Sequence, residues 1–219
     1  MNKPNKIHRV LLPLLSWLLF LAWPLIGQSK SEESKSPKPL QNIEHEYASL
    51  RPASFDLTDF DLPTVDGKTI KLSEVVRGKK LVLIHYFATF CDNSSYDLVT
   101  INELYRQYGK QGFAVIGVCE YSSPKQLQEF IDKHRPNYPI VMEGEGTRDE
   151  RMKTRHFLYR TKAGDTRAWG TPFNVLIDSK SIQAKGEVIA RRMQVAPGEL
   201  IKSEVEPFIR RKIKATPQK

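Results

Sequence analysis

The stretch Leu81 to Phe87, LVLIHYF, constrains the fold of this 219-residue chain more than any other. An apolar run of that length marks a strand buried on both faces of a parallel sheet. It reaches Cys91 and hands over to a helical pattern, with Leu98, Ile101, Leu104, Tyr105 and Tyr108 at helical spacing. A cysteine between a buried strand and a helix sits where helix N-terminal N–H groups and the macrodipole favour an anion. That is one way to hold a thiolate at neutral pH. A buried cysteine in a structural turn would occupy the same place.

The neighbouring residues add a resemblance. Tyr86-Phe-Ala-Thr-Phe90-Cys91-Asp-Asn-Ser94 resembles the F-W-A-T-W-C-x-x-C signature of thioredoxin-like proteins. The nearest branch is the exported or membrane-anchored TlpA/ResA-like disulfide reductases of the redoxin superfamily. Cys91 matches the first cysteine, and Ser94 stands in the place of the second. Upstream, Phe55, Leu57, Leu62, Asp66-Gly67, Leu72, Ser73 and Gly78-Lys79 follow the redoxin pattern. Downstream, Trp169-Gly-Thr-Pro172 leading into Phe173-Asn-Val-Leu-Ile-Asp178 is similar to the G-T/V-P-T-x-x-x-I-D element.

The resemblance implies a thioredoxin fold, an α/β arrangement of a mixed central sheet and flanking helices, with a redoxin-type N-terminal β-hairpin. It implies that Pro172 is cis and lies against Cys91, leaving the Thr171 backbone as a short edge for a peptide. Phe90, Thr171 and Pro172 are then the substrate-binding residues. His85 stands six positions before Cys91, where the family carries an acidic or polar proton relay. A buried histidine titrates in the working range, although a hydrogen-bonded core histidine fits equally well. Ser94 retains a hydroxyl that can donate to a Cys91 thiolate.

Along the chain, Phe55-Asp-Leu57 and Thr69-Ile-Lys-Leu72 flank the Asp66-Gly67 turn signal and predict a β-hairpin. Phe113 to Val118 predicts a second buried strand, ending at Cys119, and Ser123-Pro124 opens a helix. His134 lies on the apolar face of that helix, as a partly buried tail residue. Tyr138 to Met142 could form a short strand. Seven basic residues fall between Arg148 and Arg167, where the resemblance implies a helix near the thiol. A basic rim there could select an acidic partner or help hold a thiolate, but a solvated helix face is the reading favoured for them. Gly186 to Ala190 should form a strand, and Pro197 should open a closing helix with Leu200, Ile201, Val205, Phe208 and Ile209 inward.

The expected organisation is a signal peptide or membrane anchor over 1–27 and a flexible tether over 28–52. A thioredoxin-like domain over 53–212 and a basic tail over 213–219 follow. Lys3, Lys6 and Arg9 precede an uncharged apolar run from Val10 to Ile26, which places the remainder outside the cytoplasm. Pro13 and Pro24 weaken the run as a spanning helix, but the poor cleavage site near Gly27, with Leu25 at the −3 position, favours an uncleaved anchor in the inner membrane. The tether is rich in Ser, Lys, Glu and Pro. The net charge of +9 reflects a solvated basic surface, and no motif for nucleic acid accompanies it.

Right-handed crossovers place the two buried strands parallel, so Cys91 and Cys119 end on the same sheet edge. Two cysteines bridge only when their Cα atoms come within about 7 Å. If they meet, Cys119 is a resolving thiol or half of a staple; otherwise it is a core cysteine. Three functions compete: thiol–disulfide exchange through Cys91, a peroxidase, and a non-catalytic binding module. Peroxiredoxins carry Thr or Ser three residues before the reactive cysteine, where this chain has Ala88. Expected partners are protein thiols or disulfides outside the cytoplasm, a membrane-bound reductant, and the membrane itself through residues 10–26. No cofactor is called for, the five histidines lack metal-ligand spacing, and Gly144-Glu-Gly146 alone is no phosphate loop.

Overall fold

A computed structural model describes residues 44–146, 148–183 and 186–214. The expected leader, most of the expected tether and residues 215–219 lie outside them. Among the described residues no helix is long and apolar enough to cross a membrane.

The chain opens with β1 (Tyr47–Ala48), β2 (Arg51–Thr58), β3 (Asp61–Pro63), β4 (Thr69–Lys71) and the short helix α1 (Leu72–Val76). The central part follows as β5 (Leu81–Ala88), α2 (Asp92–Tyr108), β6 (Phe113–Glu120), α3 (Pro124–His134) and β7 (Ile140–Met142). It finishes with α4 (Arg148–Arg151), α5 (Arg155–Lys162), β8 (Phe173–Asp178), β9 (Val188–Ala196), β10 (Glu199–Leu200) and α6 (Lys202–Lys214). Six strands form one sheet in the order β2-β9-β8-β5-β6-β7. β5, β6 and β7 run parallel, while β8, β9 and β2 alternate antiparallel. This is a thioredoxin fold.

β5 is buried along its whole length because both sheet faces are covered. Leu81, Leu83 and Phe87 pack in one core with α2, α3 and α6. Val82, Ile84 and Tyr86 pack in the other with Phe55, Leu72 and Tyr159. Period-two alternation thus feeds two cores from one strand, each fully buried large apolar side chain contributing about 1.5–3 kcal/mol. α2 follows its sequence pattern, burying Leu98, Ile101, Leu104 and Tyr108. Ser123 caps α3 and forms a capping box with Gln126. His134 is half-buried against Phe130, with ring centroids 4.4 Å apart.

The structure departs from the sequence expectations at both ends of the domain. The hairpin pairs Asp61–Pro63 with Thr69–Lys71 across the Asp66-Gly67 loop, whereas Phe55 and Leu57 belong to β2, the strand that pairs with β9. Alternating Phe55 and Leu57 need a wide apolar face, which the main sheet offers and a three-residue hairpin does not. The packed chain also starts before Ala53, because Tyr47–Ala48 pairs in parallel with Glu199–Leu200. Pro197 does not open the last helix. Leu200 stays extended, its N–H bound to the Asp97 carboxylate at 2.9 Å, and α6 begins at Lys202. Ile213 is buried in α6, so the helix continues into the expected tail.

Candidate active site

The end of β5 and the start of α2 set Cys91 in place. Cys91 is the N-cap residue of α2, with extended backbone angles and a half-buried side chain. The turn before it is tied down. Thr89 donates from its N–H to Ser122 Oγ at 3.3 Å, and the two hydroxyls lie 2.9 Å apart. The Cys91 thiol donates to the carbonyl of Thr171 at 3.4 Å. The Thr171–Pro172 peptide bond is cis. Phe90, 52% exposed, meets the 45% exposed Trp169 edge to face at 5.3 Å. Phe90, Cys91, Trp169 and Thr171 line a cleft of ≈ 260 Å³, completed by Glu46, Asn93, Arg167, Ala168 and Gly170.

Ser94 is wholly buried on the inner side of α2, and its Oγ accepts from the Ala88 N–H at 3.5 Å. His85 is also wholly buried, under α2. Its Nδ1–H donates to Asn174 Oδ1 at 3.0 Å, so Nε2 is the unprotonated nitrogen, and it has no partner among the described residues. The Asn174 amide in turn donates to Asp97 Oδ2 at 2.6 Å and to the Gly198 carbonyl at 3.0 Å. His85 Nδ1 comes within 3.6 Å of Asp97 Oδ2. This is not an ion pair in acid. Burial pushes His85 down to about 4 and Asp97 up to about 7, so between those values both are neutral.

Cys119 does not join Cys91. Both thiols are free, and Cys119 pairs in register with Phe87 inside the sheet. Its side chain is fully buried in the core shared with Leu127 and Phe130. Burial pushes its thiol up to about 12. In this structure Cys119 is a core residue, which is the third of the roles open to it from sequence.

The basic segment before Pro172 is the larger surprise: Lys153 and Lys162 are exposed as expected, but Arg151, Arg155, Arg160 and Arg167 are not on a solvated face. Arg160 is buried and donates to the carbonyls of Arg167 at 2.7 Å and Ala168 at 3.4 Å. Arg151 stacks 4.9 Å over the Trp169 ring, and Arg155 pairs with Glu143 at 3.0 Å. Arg167 binds Asp165 with two nitrogens at 3.0 and 2.8 Å. It also reaches Glu46 at 3.0 Å, the Pro172 carbonyl at 2.9 Å and the Thr171 carbonyl at 3.5 Å. Buried His156 donates from Nε2 to the Gly170 carbonyl at 3.0 Å and accepts at Nδ1 from the Tyr121 hydroxyl at 2.8 Å. Burial holds this imidazole neutral, lowered to about 3.

Sequence reasoning therefore missed Asp97, Asn174, His156 and Glu46, and favoured a solvated face for Arg160 and Arg167. Asp97 had a signal: it shares a helical face with Ser94, Leu98 and Ile101 and is an acid among apolar positions. The others are assembled from distant segments and had none.

Comparison with known proteins places the site in a family. The thiol-disulfide oxidoreductase ResA of Halalkalibacterium halodurans is 28% identical over 95 residues, which is 43% of this chain and 53% of that protein. The thioredoxin-like protein YneN of Bacillus subtilis is 31% identical over 91 residues, 40% of this chain and 52% of that protein. The matched stretches thus span about half the length of these curated relatives. Among solved structures, a thiol:disulfide interchange protein of the thioredoxin family from Chlorobium tepidum TLS superposes with a TM-score of 0.53 at 18% identity. It covers 76% of this chain and 99% of its own. A thiol:disulfide interchange protein from Bacteroides sp. gives 0.53 at 13% identity, covering 76% and 93%. A family model described as AhpC/TSA matches residues 55–182, which include the hairpin, Cys91 and the Thr171–Pro172 element. With more than half of its length matched, this chain belongs to the AhpC/TSA family.

Proposed function

We propose that this chain is an exported thiol–disulfide exchange protein that acts through one cysteine, Cys91. The observation that carries the reading is the half-buried Cys91 thiol at the N-cap of α2, 3.4 Å from the Thr171 carbonyl in an open cleft. The curated relatives named ResA are thiol-disulfide oxidoreductases, which supports the same chemistry.

In the first step the Cys91 thiolate attacks one sulfur of a partner disulfide. A bond forms between that sulfur and Cys91, the partner S–S bond breaks, and the other partner sulfur leaves as a thiolate. Ser94 stands where the resemblance expects a resolving thiol, and Cys119 is buried and held protonated. Resolution then falls to a second thiolate, from the partner or another thiol, which attacks the Cys91 sulfur or its bonded partner. The partner peptide lies along Thr171 and Pro172 and against the exposed rings of Phe90 and Trp169. His85, neutral and buried beneath the site with an unpartnered Nε2, serves as the base or relay to Cys91. The leader over 1–27 and the tether after it hold the domain outside the cytoplasm, within reach of a membrane-bound reductant.

The test is mixed-disulfide trapping with the purified protein and a disulfide-bonded model protein. The unmodified protein should form a reducible adduct, Cys119→Ser should retain it, and Cys91→Ser should abolish it. An adduct that persists in Cys91→Ser would remove the proposal. The AhpC/TSA match also admits a peroxidase, and Cys91-dependent consumption of hydrogen peroxide would favour that reading instead.

A further inference from the structure

The carbonyl that receives the Cys91 thiol has a second donor. Thr171 O accepts the Cys91 thiol at 3.4 Å and the Arg167 guanidinium at 3.5 Å. Arg167 is itself bracketed by two acids, the buried Asp165 at 2.8 Å and Glu46 at 3.0 Å. Burial raises Asp165, but its bonds to Arg167 outweigh that and hold it below the usual carboxylate range, so it stays ionised. Glu46 belongs to the N-terminal segment, lies half exposed, and lines the same cleft as Cys91 and Arg167.

We propose that Arg167 and Glu46 are positioning residues that set the acidity of Cys91 with opposite signs. The inference rests on the reading of Cys91 as the attacking thiol and says how its reactivity is set. When Cys91 loses its proton to water, the S–H bond to Thr171 O is lost and the sulfur faces a carbonyl dipole of like sign. The guanidinium on that carbonyl offsets both the dipole and the new charge. Glu46 and Asp165 together carry two negative charges against its one. Removing Arg167 leaves both acids uncompensated. Removing the Glu46 charge brings the trio to neutrality.

Other charged groups around Cys91 are fixed in the comparison. Asp92 is exposed in the first turn of α2, whose N-terminal dipole favours the thiolate. Arg151 is stacked on Trp169, His45 is bound to Glu199, and the buried Asp97 and His85 lie beneath. Glu46 therefore makes the segment leading into the domain a part of the reactive site.

The experiment is the pH profile of alkylation by iodoacetamide, in which the thiolate displaces iodide. Cys119, pushed up to about 12, stays outside the range scanned. Arg167→Gln should raise the midpoint by about one pH unit, the low end for loss of an opposite charge that shares the thiol's carbonyl partner. Glu46→Gln should lower it by about half a unit or less, since an exposed acid is screened. Arg167→Lys keeps the charge without the fork and should fall between Arg167→Gln and the unmodified protein. A merely structural loosening of the loop would move both variants the same way, or change the plateau rate without the midpoint. Midpoints that move together, or not at all, overturn the proposal, and Glu46→Gln alone suffices should Arg167→Gln fail to fold. Alkylation needs no partner disulfide. If the midpoints split while trapping fails, the inference about acidity stands and the exchange function falls.

Discussion

Asn174 does at residue scale what neither neighbour does alone: it joins a buried imidazole to a buried carboxylate through one amide. Its Oδ1 takes the His85 proton at 3.0 Å, and its Nδ2 serves Asp97 at 2.6 Å. The consequence is a pH signature that cancels in the intact protein. His85 is lowered from 6.5 to about 4, so its contribution to stability is present above 6.5 and lost as pH falls through 4. Asp97 is raised from 3.8 to about 7, so its contribution is present below 3.8 and lost as pH rises through 7. Between pH 4 and 6.5 the two slopes oppose one another. Asp97→Asn should expose the histidine, with stability relative to the unmodified protein falling as pH drops across that window. His85→Asn should expose the acid and fall as pH rises. Each slope approaches about 1.4 kcal/mol per pH unit, readable from urea midpoints at three pH values. A flat difference for both variants would show that the pair does not titrate as its burial dictates.

At the scale of elements, α5 exists to hold the loop that ends at Pro172. Glu143 accepts the Arg155 N–H at 3.0 Å and the His156 N–H at 3.3 Å, filling orphan donors at the helix start. Helical spacing then sets His156 and Arg160 one turn apart, where each grips loop carbonyls. Gly170 shows how tight the grip is. It has φ +66°, and a Cβ there would lie 2.5 Å from Arg160 Cδ. Gly170→Ala should therefore cost about 2–5 kcal/mol, from the left-handed backbone and the overpacking together. The check is a denaturant midpoint, accompanied by faster exchange of loop amides. A loss below 1 kcal/mol would mean the loop relaxes freely around Arg160. The motif residues of this site were legible because Cys91 and Thr171-Pro172 are each contiguous with a buried strand. The arginines were not, since nothing in residue type distinguishes a solvated guanidinium from one buried against carbonyls. Only the fold supplies those acceptors.

At the scale of the whole molecule, the legible parts are those fixed by local pattern. β5, α2 and β6 follow from periodicity, and the sheet around them from short right-handed connections. What pairs across the chain was hidden: β2 joins β9 and β1 joins β10, over separations that no turn signal announces. The sequence reading accordingly assigned Phe55 and Leu57 to a nearby hairpin and residues up to Pro52 to a tether. Glu199 is the residue that closes this second, long-range join. It is almost fully buried, accepts His45 Nδ1 at 2.9 Å and the Glu46 N–H at 3.1 Å, and donates its own N–H to Glu46 O at 2.7 Å. Replacing its carboxylate leaves both N-terminal donors without their acceptor, a loss of about 1–3 kcal/mol. Glu199→Ala should thus release the amides of Tyr47 and Ala48 to rapid hydrogen exchange while those of Leu83 and Ile84 keep their protection. Because Glu46 leaves Arg167 with that segment, the Cys91 alkylation midpoint should fall in the same direction as in Glu46→Gln. Exchange that rises equally in β5 would mean Glu199 supports the global fold instead. A freed segment with an unmoved midpoint would sever the entry of the chain from the chemistry of its thiol.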